Sequence, residues 1–158
     1  MGATLTLGVV TGSVHTGLQV ADLDRSLDFY VGLLGLELRS RHVADAPYLG
    51  ELVGYPGVEL DVAFLDIPGS EHWLELLEYR KVERQAVDPA NANPGTAHIC
   101  FTVTDLVALH DRLERAGVEF ISRPVMPTAG INQGRLALYM KDPDGIRVEL
   151  LQLERVDL

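Results

Sequence analysis

The stretch Val14-His15-Thr16-Gly17-Leu18-Gln19-Val20-Ala21-Asp22-Leu23 returns 83 residues later as Ala97-His98-Ile99-Cys100-Phe101-Thr102-Val103-Thr104-Asp105-Leu106, with His, Val, Asp and Leu in coincident positions. Further along, the offset drifts. Gly35-Leu36-Glu37 meets Gly117-Val118-Glu119 at 82, and Leu74-Glu75-Leu76-Leu77 meets Val148-Glu149-Leu150-Leu151 at 74. Each half of the chain therefore carries one His near its start and one Glu near its end. A duplicated unit that contributes a His and a Glu twice is the pattern of a metal site on a pseudo-twofold axis.

Within each half the pattern predicts a strand, a helix and three further strands. Val14–Val20 and Ala97–Val103 read as strands that run into Asp22 and Thr104/Asp105, whose side chains can cap a helix. Leu23, Leu27, Tyr30, Val31 and Leu34 recur at helical spacing, as do Leu106, Leu109, Leu113 and Ala116. Gly35 and Gly117 follow as stops, and short strands are expected to begin near Leu36 and Val118. Asp66–Ser70 and Asp142–Gly145 supply the turns before the last strands. The expected fold class is α+β, with two tandem βαβββ modules. The expected division is an N-terminal extension (1–13), a first module (14–80), a linker (81–95) with Asp-Pro and Asn-Pro steps, a second module (96–153) and a tail (154–158).

Strand parity sets the direction of the chemistry. Alternate residues face opposite sides, so His15, Gly17 and Gln19 share one face while Thr16, Leu18 and Val20 share the other. His98, Cys100 and Thr102 repeat this, and Glu75 and Glu149 likewise point away from their leucine and valine neighbours. All four are expected on the face opposite the helices, converging in a concave cup. Two imidazoles and two carboxylates suit one divalent ion (Ni, Co, Mn, Fe or Zn), and an octahedral centre would keep two positions for neighbouring oxygens of a substrate. Taken singly, a strand His is more often structural and a Glu at a strand end more often solvated; the repeat gives the set its weight. His42, His72 and His110 have no repeat partners. They are expected at the surface, with His72 and Trp73 at a pocket rim, and Cys100 is expected as small buried packing.

Composition narrows the partners. A net charge of −10 opposes nucleic acid and anionic membrane surfaces, which attract basic patches, and leaves a small-molecule substrate as the expected partner. One cysteine fits a reducing compartment, and residues 1–13 have neither a basic n-region nor a long apolar run. The expected setting is cytoplasmic.

The run from His15 to Tyr30, the Leu-Leu-Gly-Leu-Glu-Leu stretch ending at Leu38, Gly95-Thr-Ala-His98 and Asp142-Pro-Asp-Gly-Ile-Arg-Val-Glu149 resemble the vicinal oxygen chelate superfamily. It includes glyoxalase I, methylmalonyl-CoA epimerase, extradiol dioxygenases and bleomycin-binding proteins. The resemblance covers roughly residues 14–153. It implies a cupped, half-barrel mixed sheet with helices outside, a divalent metal bound through His15, Glu75, His98 and Glu149, and a homodimer. It further implies isomerase, epimerase or lyase chemistry of glyoxalase type. In that chemistry Glu149 is the principal base and Glu75 its partner on the opposite side of an enediolate, formed by removing a proton beside a metal-chelated carbonyl. Within this class, Tyr48–Gly57 with Leu74–Tyr79 resembles cyclitol epimerases. Two other readings are an extradiol-type dioxygenase using His15, His98 and Glu149 as a triad, and a metal-free drug-binding protein of the bleomycin-resistance kind. The segments that depart from the glyoxalases, Ser40–Val58 and the linker, together with Met126–Gly134, are where substrate selection is expected.

Overall fold

The computed structural model describes residues 8–154; most of the expected N-terminal extension (1–7) and of the tail (155–158) lies outside them. The first half contains strand β1 (His15–Gln19), helix α1 (Leu23–Leu27) continuing as a π-helical segment (Asp28–Leu33), strand β2 (Glu37–Ala44), helix α2 (Pro47–Val53), strand β3 (Glu59–Asp66) and strand β4 (Trp73–Arg80). The second half contains strand β5 (His98–Val103), helix α3 (Leu106–Arg115), strand β6 (Leu136–Lys141) and strand β7 (Arg147–Gln152). This is an α+β chain with two open mixed sheets, ordered β1-β4-β3-β2 and β5-β7-β6. In each sheet the first strand runs parallel to the last (β1 with β4, β5 with β7), and the remaining pairs are antiparallel.

The duplicated sequence produces duplicated local chemistry. Asp22 accepts a hydrogen bond from the Arg25 amide at 3.0 Å, and Asp105 accepts one from the Ala108 amide at 2.9 Å, each satisfying an amide that the first helical turn leaves free. Gly35 (φ 81°) and Gly117 (φ 84°) end the two helical segments in the left-handed region, which strains the backbone of a residue with a side chain.

The halves differ after their helices. The strand expected near Val118 is reduced to isolated bridges, Phe120 with Met140 and Val125 with Ala137. Ile121 and Ser122 both donate to the Tyr139 carbonyl, at 2.8 and 3.4 Å, so two residues oppose one and the ladder bulges. Pro124 then has no N–H to offer. In the first half β2 slips register between Leu38 and Ser40 yet continues to Ala44. Between β2 and β3 an unexpected helix appears: Pro47 fits the first turn, where no amide is needed, and Gly54 (φ 78°) closes it.

One apolar core joins the modules. Leu18 and Val20 of β1, Ala63 and Leu65 of β3, and Leu74 and Leu76 of β4 pack with Leu23, Phe29 and Tyr30 on one side and with Phe101, Leu106, Leu113, Met140, Val148 and Leu150 on the other. The strand faces expected to meet the helices are the ones buried. Polar contacts cross the same junction. The buried Tyr30 hydroxyl donates to Asp142, Arg25 pairs with Asp144, and Asp144 accepts from the Ala21 amide. A second cluster lies on the opposite face of the first sheet, where Leu49 of α2 meets Val58, Leu60, Val62 and Leu77. Helix α2 therefore covers the far end of the face that carries His15 and Glu75. Among the described residues no helix is long and apolar enough to cross a membrane.

Candidate metal centre

Each module brings its own His and Glu together. His15 lies on edge strand β1 and Glu75 on the neighbouring β4, with Nε2 and Oε2 3.2 Å apart. His98 on edge strand β5 and Glu149 on β7 stand at the same 3.2 Å. The side-chain exposures match as well: 42% and 15% for the first pair, 41% and 15% for the second. Two equivalent half-sites thus sit at two open sheet edges, each with a shielded carboxylate and a half-open imidazole.

The two half-sites do not meet within one chain. Among the described residues, the grouping of three or more potential metal donors within mutual reach is His110, Asp111 and Glu114 on α3, which contains none of the four. The single cup expected from strand parity is therefore two half-cups. Parity fixes which face a side chain takes within a sheet; the separation of the sheets follows from the modules packing through their helix-side core.

The donor geometry fits a shared cation. Two ligand atoms each about 2.1 Å from one ion, at right angles to each other, stand about 3 Å apart, close to the 3.2 Å seen in each pair. An imidazole nitrogen beside a carboxylate oxygen also suits a borderline first-row divalent ion.

The surroundings of the two pairs differ. Gly17 lies opposite Glu75 on β1, and a Cβ there would come within 3.3 Å of Glu75 Oε2. On β3 Phe64 lies opposite Glu75, its ring edge-on to His15 with centroids 6.1 Å apart. Opposite Glu149 are Cys100 on β5 and Tyr139 on β6. The Tyr139 hydroxyl donates to Glu149 Oε2 at 2.9 Å and lies 3.2 Å from His98 Nε2. Desolvation, with the hydrogen bond to Glu149 and its charge, pushes the Tyr139 phenol up to about 12. Desolvation and then the Glu149 charge push the Cys100 thiol up to about 11, which keeps it a neutral thiol at pH 7. Cys100, expected as small buried packing, is instead exposed on the cup side of its strand, because β5 has no neighbour on its outer side.

The other histidines divide. His72 Nε2 lies 2.9 Å from the Thr16 hydroxyl and Nδ1 3.3 Å from Ser13, tying the entry of β4 to β1. Trp73 packs beneath the Arg39 guanidinium, 4.4 Å from the ring centroid, and edge-on to Phe64. His42 stacks with Phe64, ring centroids 6.5 Å apart. His110, expected at the surface, is buried against Phe120, with ring centroids 4.4 Å apart. Its place four residues after Leu106 and three before Leu113, both buried, was the available signal. A cavity of about 740 Å³ is bordered by Gln19, Tyr55, Tyr79 and Val82–Val87, and none of His15, Glu75, His98 and Glu149 lines it. Two of the three segments expected to select substrate border it.

Residues 12–150 match the family described as the Glyoxalase/Bleomycin resistance protein/Dioxygenase superfamily. The chain belongs to that superfamily. It is 35% identical over 153 residues to a lactoylglutathione lyase of Pseudomonas putida, covering 87% of this chain and 83% of that one. It is 27% identical over 140 residues to a probable lactoylglutathione lyase of Synechocystis, covering 88% and 93%. Among solved structures, a glyoxalase family protein from Bacillus cereus superposes with a TM-score of 0.79 at 20% identity, covering 94% of this chain and 98% of that one. The likeness in fold thus extends over nearly the whole chain.

Proposed function

We propose that this protein is a divalent-metal-dependent enzyme of glyoxalase type that moves a proton next to a carbonyl of a small molecule presenting two neighbouring oxygens. The observation that carries the reading is the pair of repeat-related His–Glu half-sites with matching 3.2 Å separations and matching exposures. His15, Glu75, His98 and Glu149 hold the ion. When bound, it supplies electrophilic stabilisation of the negative charge that develops on a carbonyl oxygen as the adjacent carbon loses a proton. The carboxylates do the proton work: one takes the proton and the other, on the opposite side, returns it. Phe64 and α2 keep the first half-cup apolar beside Glu75, which strengthens electrostatic interactions there.

The relatives' names favour isomerisation of a hemithioacetal to a thioester over epimerisation. A dioxygenase triad of His15, His98 and Glu149 leaves Glu75 without a purpose, although its placement beside His15 matches that of Glu149 beside His98. A metal-free binding protein has no use for either carboxylate.

A homodimer completes the site. Strands β1 and β5 each pair on one side only, and such an edge is a template for a further strand. His15 and Glu75 of one copy then face His98 and Glu149 of a second. A single exposed thiol suits a cytoplasmic setting. Metal analysis of protein purified without added metal tests the reading. The expected result is close to one ion per chain, with His98→Ala losing metal and thermal stability together, since an ion bound only to the folded form stabilises it. Metal-free wild-type protein that turns over a hemithioacetal, or unchanged stoichiometry in His98→Ala, overturns it.

A further inference from the structure

The duplication makes each half-site a control for the other. Their His–Glu separations and exposures are the same, so a difference in the neighbouring side chains has a local effect that can be read directly. On the strand that pairs antiparallel with the Glu-bearing strand of each sheet, the repeat places Phe64 opposite Glu75 and Tyr139 opposite Glu149. Both rings stand edge-on to the adjacent imidazole, 6.1 Å from His15 and 5.3 Å from His98. The two rings differ by one hydroxyl, and it is engaged: Tyr139 Oη donates to Glu149 Oε2 and touches His98 Nε2, while on the other neighbouring strand Cys100 stands opposite Glu149 where Gly17 stands opposite Glu75. Glu75 has His15 as its polar partner, with the apolar ring of Phe64 on one strand and the bare backbone of Gly17 on the other.

We propose that Tyr139 is a positioning residue that pins Glu149 against His98, making the second half-site the fixed half of the metal centre and leaving Glu75 as the carboxylate free to move. The assignment rests on the proposed function and refines it. To reach a hydrogen on a substrate, a carboxylate must swing away from its resting partners. Glu149 has to break a charge-assisted hydrogen bond from Tyr139 to do so, whereas Glu75 moves past a phenyl ring. The order of the two bases is thereby the reverse of the one the family resemblance implies, with Glu75 leading and Glu149 holding. Partners behind a metal ligand fix its orientation, and their loss typically weakens metal binding about 10–100-fold.

Cobalt(II) serves as the probe, with affinity measured by competition with a chromophoric chelator and geometry by the visible absorption of the bound ion. In the full-length chain, Tyr139→Phe is expected to weaken cobalt binding by about 10-fold or more and to alter the visible bands, with the apo fold unchanged by circular dichroism. Glu149→Gln is expected to cost more affinity than Glu75→Gln, and the gap is expected to shrink when Tyr139→Phe is also present, because the pinning and the pinned groups are coupled. Phe64→Tyr, which leaves Tyr139 in place and adds a hydroxyl beside Glu75, narrows the gap from the other side. Wild-type affinity and spectrum in Tyr139→Phe, or equal losses in the two Gln variants, overturn the proposal while leaving the metal centre standing. A wild-type chain that takes up no cobalt overturns both.

Discussion

The Tyr30 hydroxyl donates to Asp142 Oδ2 at 3.0 Å across the junction between the two halves of the chain, and both side chains are buried. The other carboxylate oxygen, Asp142 Oδ1, accepts from the Asp144 and Ile146 amides and so shapes the turn that feeds β7. One side chain therefore couples the first helical segment to the strand carrying Glu149. Burial raises the Asp142 pKa above the ordinary carboxylate range, and the bonds from Ile146, Tyr30 and Asp144 oppose that rise. Tyr30 thus favours the ionised form. Removing its hydroxyl costs more once pH is above the folded pKa of Asp142 than below it, where the carboxyl is already neutral. Tyr30→Phe is expected to lose about 1–3 kcal/mol near pH 7, with the difference from wild type narrowing in acid. Urea unfolding at several pH values measures it; a loss independent of pH would assign Tyr30 to packing alone.

Asp61 organises a second polar cluster, at the end of the first sheet. It is buried and accepts from Arg41 Nε and Nη2 at 3.2 and 2.8 Å and from Arg80 Nη2 at 2.8 Å. The Arg41 hydrogen bond, as the largest influence, holds its pKa below the ordinary value, and Arg80 does the same for Glu78. A depressed carboxylate pKa gives stability that is present above the unfolded value and lost as pH falls through the folded one. Wild-type stability should therefore drop steeply below about pH 4. Asp61→Asn should start lower at pH 7, by about 1.5 kcal/mol given that the Arg41 guanidinium is a third open to solvent, and fall less on acidification. Parallel acid limbs for the two proteins would remove Asp61 from the account.

What could be read before folding depended on how local the determining physics is. The strand containing His15, the Asp22 and Asp105 caps and the stops at Gly35 and Gly117 depend on neighbours a few residues away, and they are where the pattern puts them. The faces of His15, Glu75, His98 and Glu149 follow from a period of two. Helix α2 was missed because Tyr48–Val53 is short and interrupted by Gly50; it exists because Leu49 finds Val62 and Leu77 on a sheet face. The strand expected from Val118 is broken because the bulge at Ile121 and Ser122 depends on the carbonyl of Tyr139, seventeen or more residues away. The contact of Tyr139 with Glu149 is equally non-local, and its one signal in the sequence is its correspondence to Phe64 in the first half.

Whether one chain or two build the metal centre can be decided by complementation. One variant carries His15→Ala with Glu75→Gln, the other His98→Ala with Glu149→Gln, and each alone has no complete donor set. If the site is shared between copies, a mixed dimer contains one site with all four donors lost and one with all four intact. Random pairing after co-refolding makes half the dimers mixed, so metal uptake should return to about one ion per four chains, with activity restored in proportion. If a single chain supplied all four donors, neither variant could rescue the other and mixing would recover nothing. The separation of the half-sites within one chain, their position on the open edges β1 and β5, and the core that fixes the modules through their opposite faces together favour rescue.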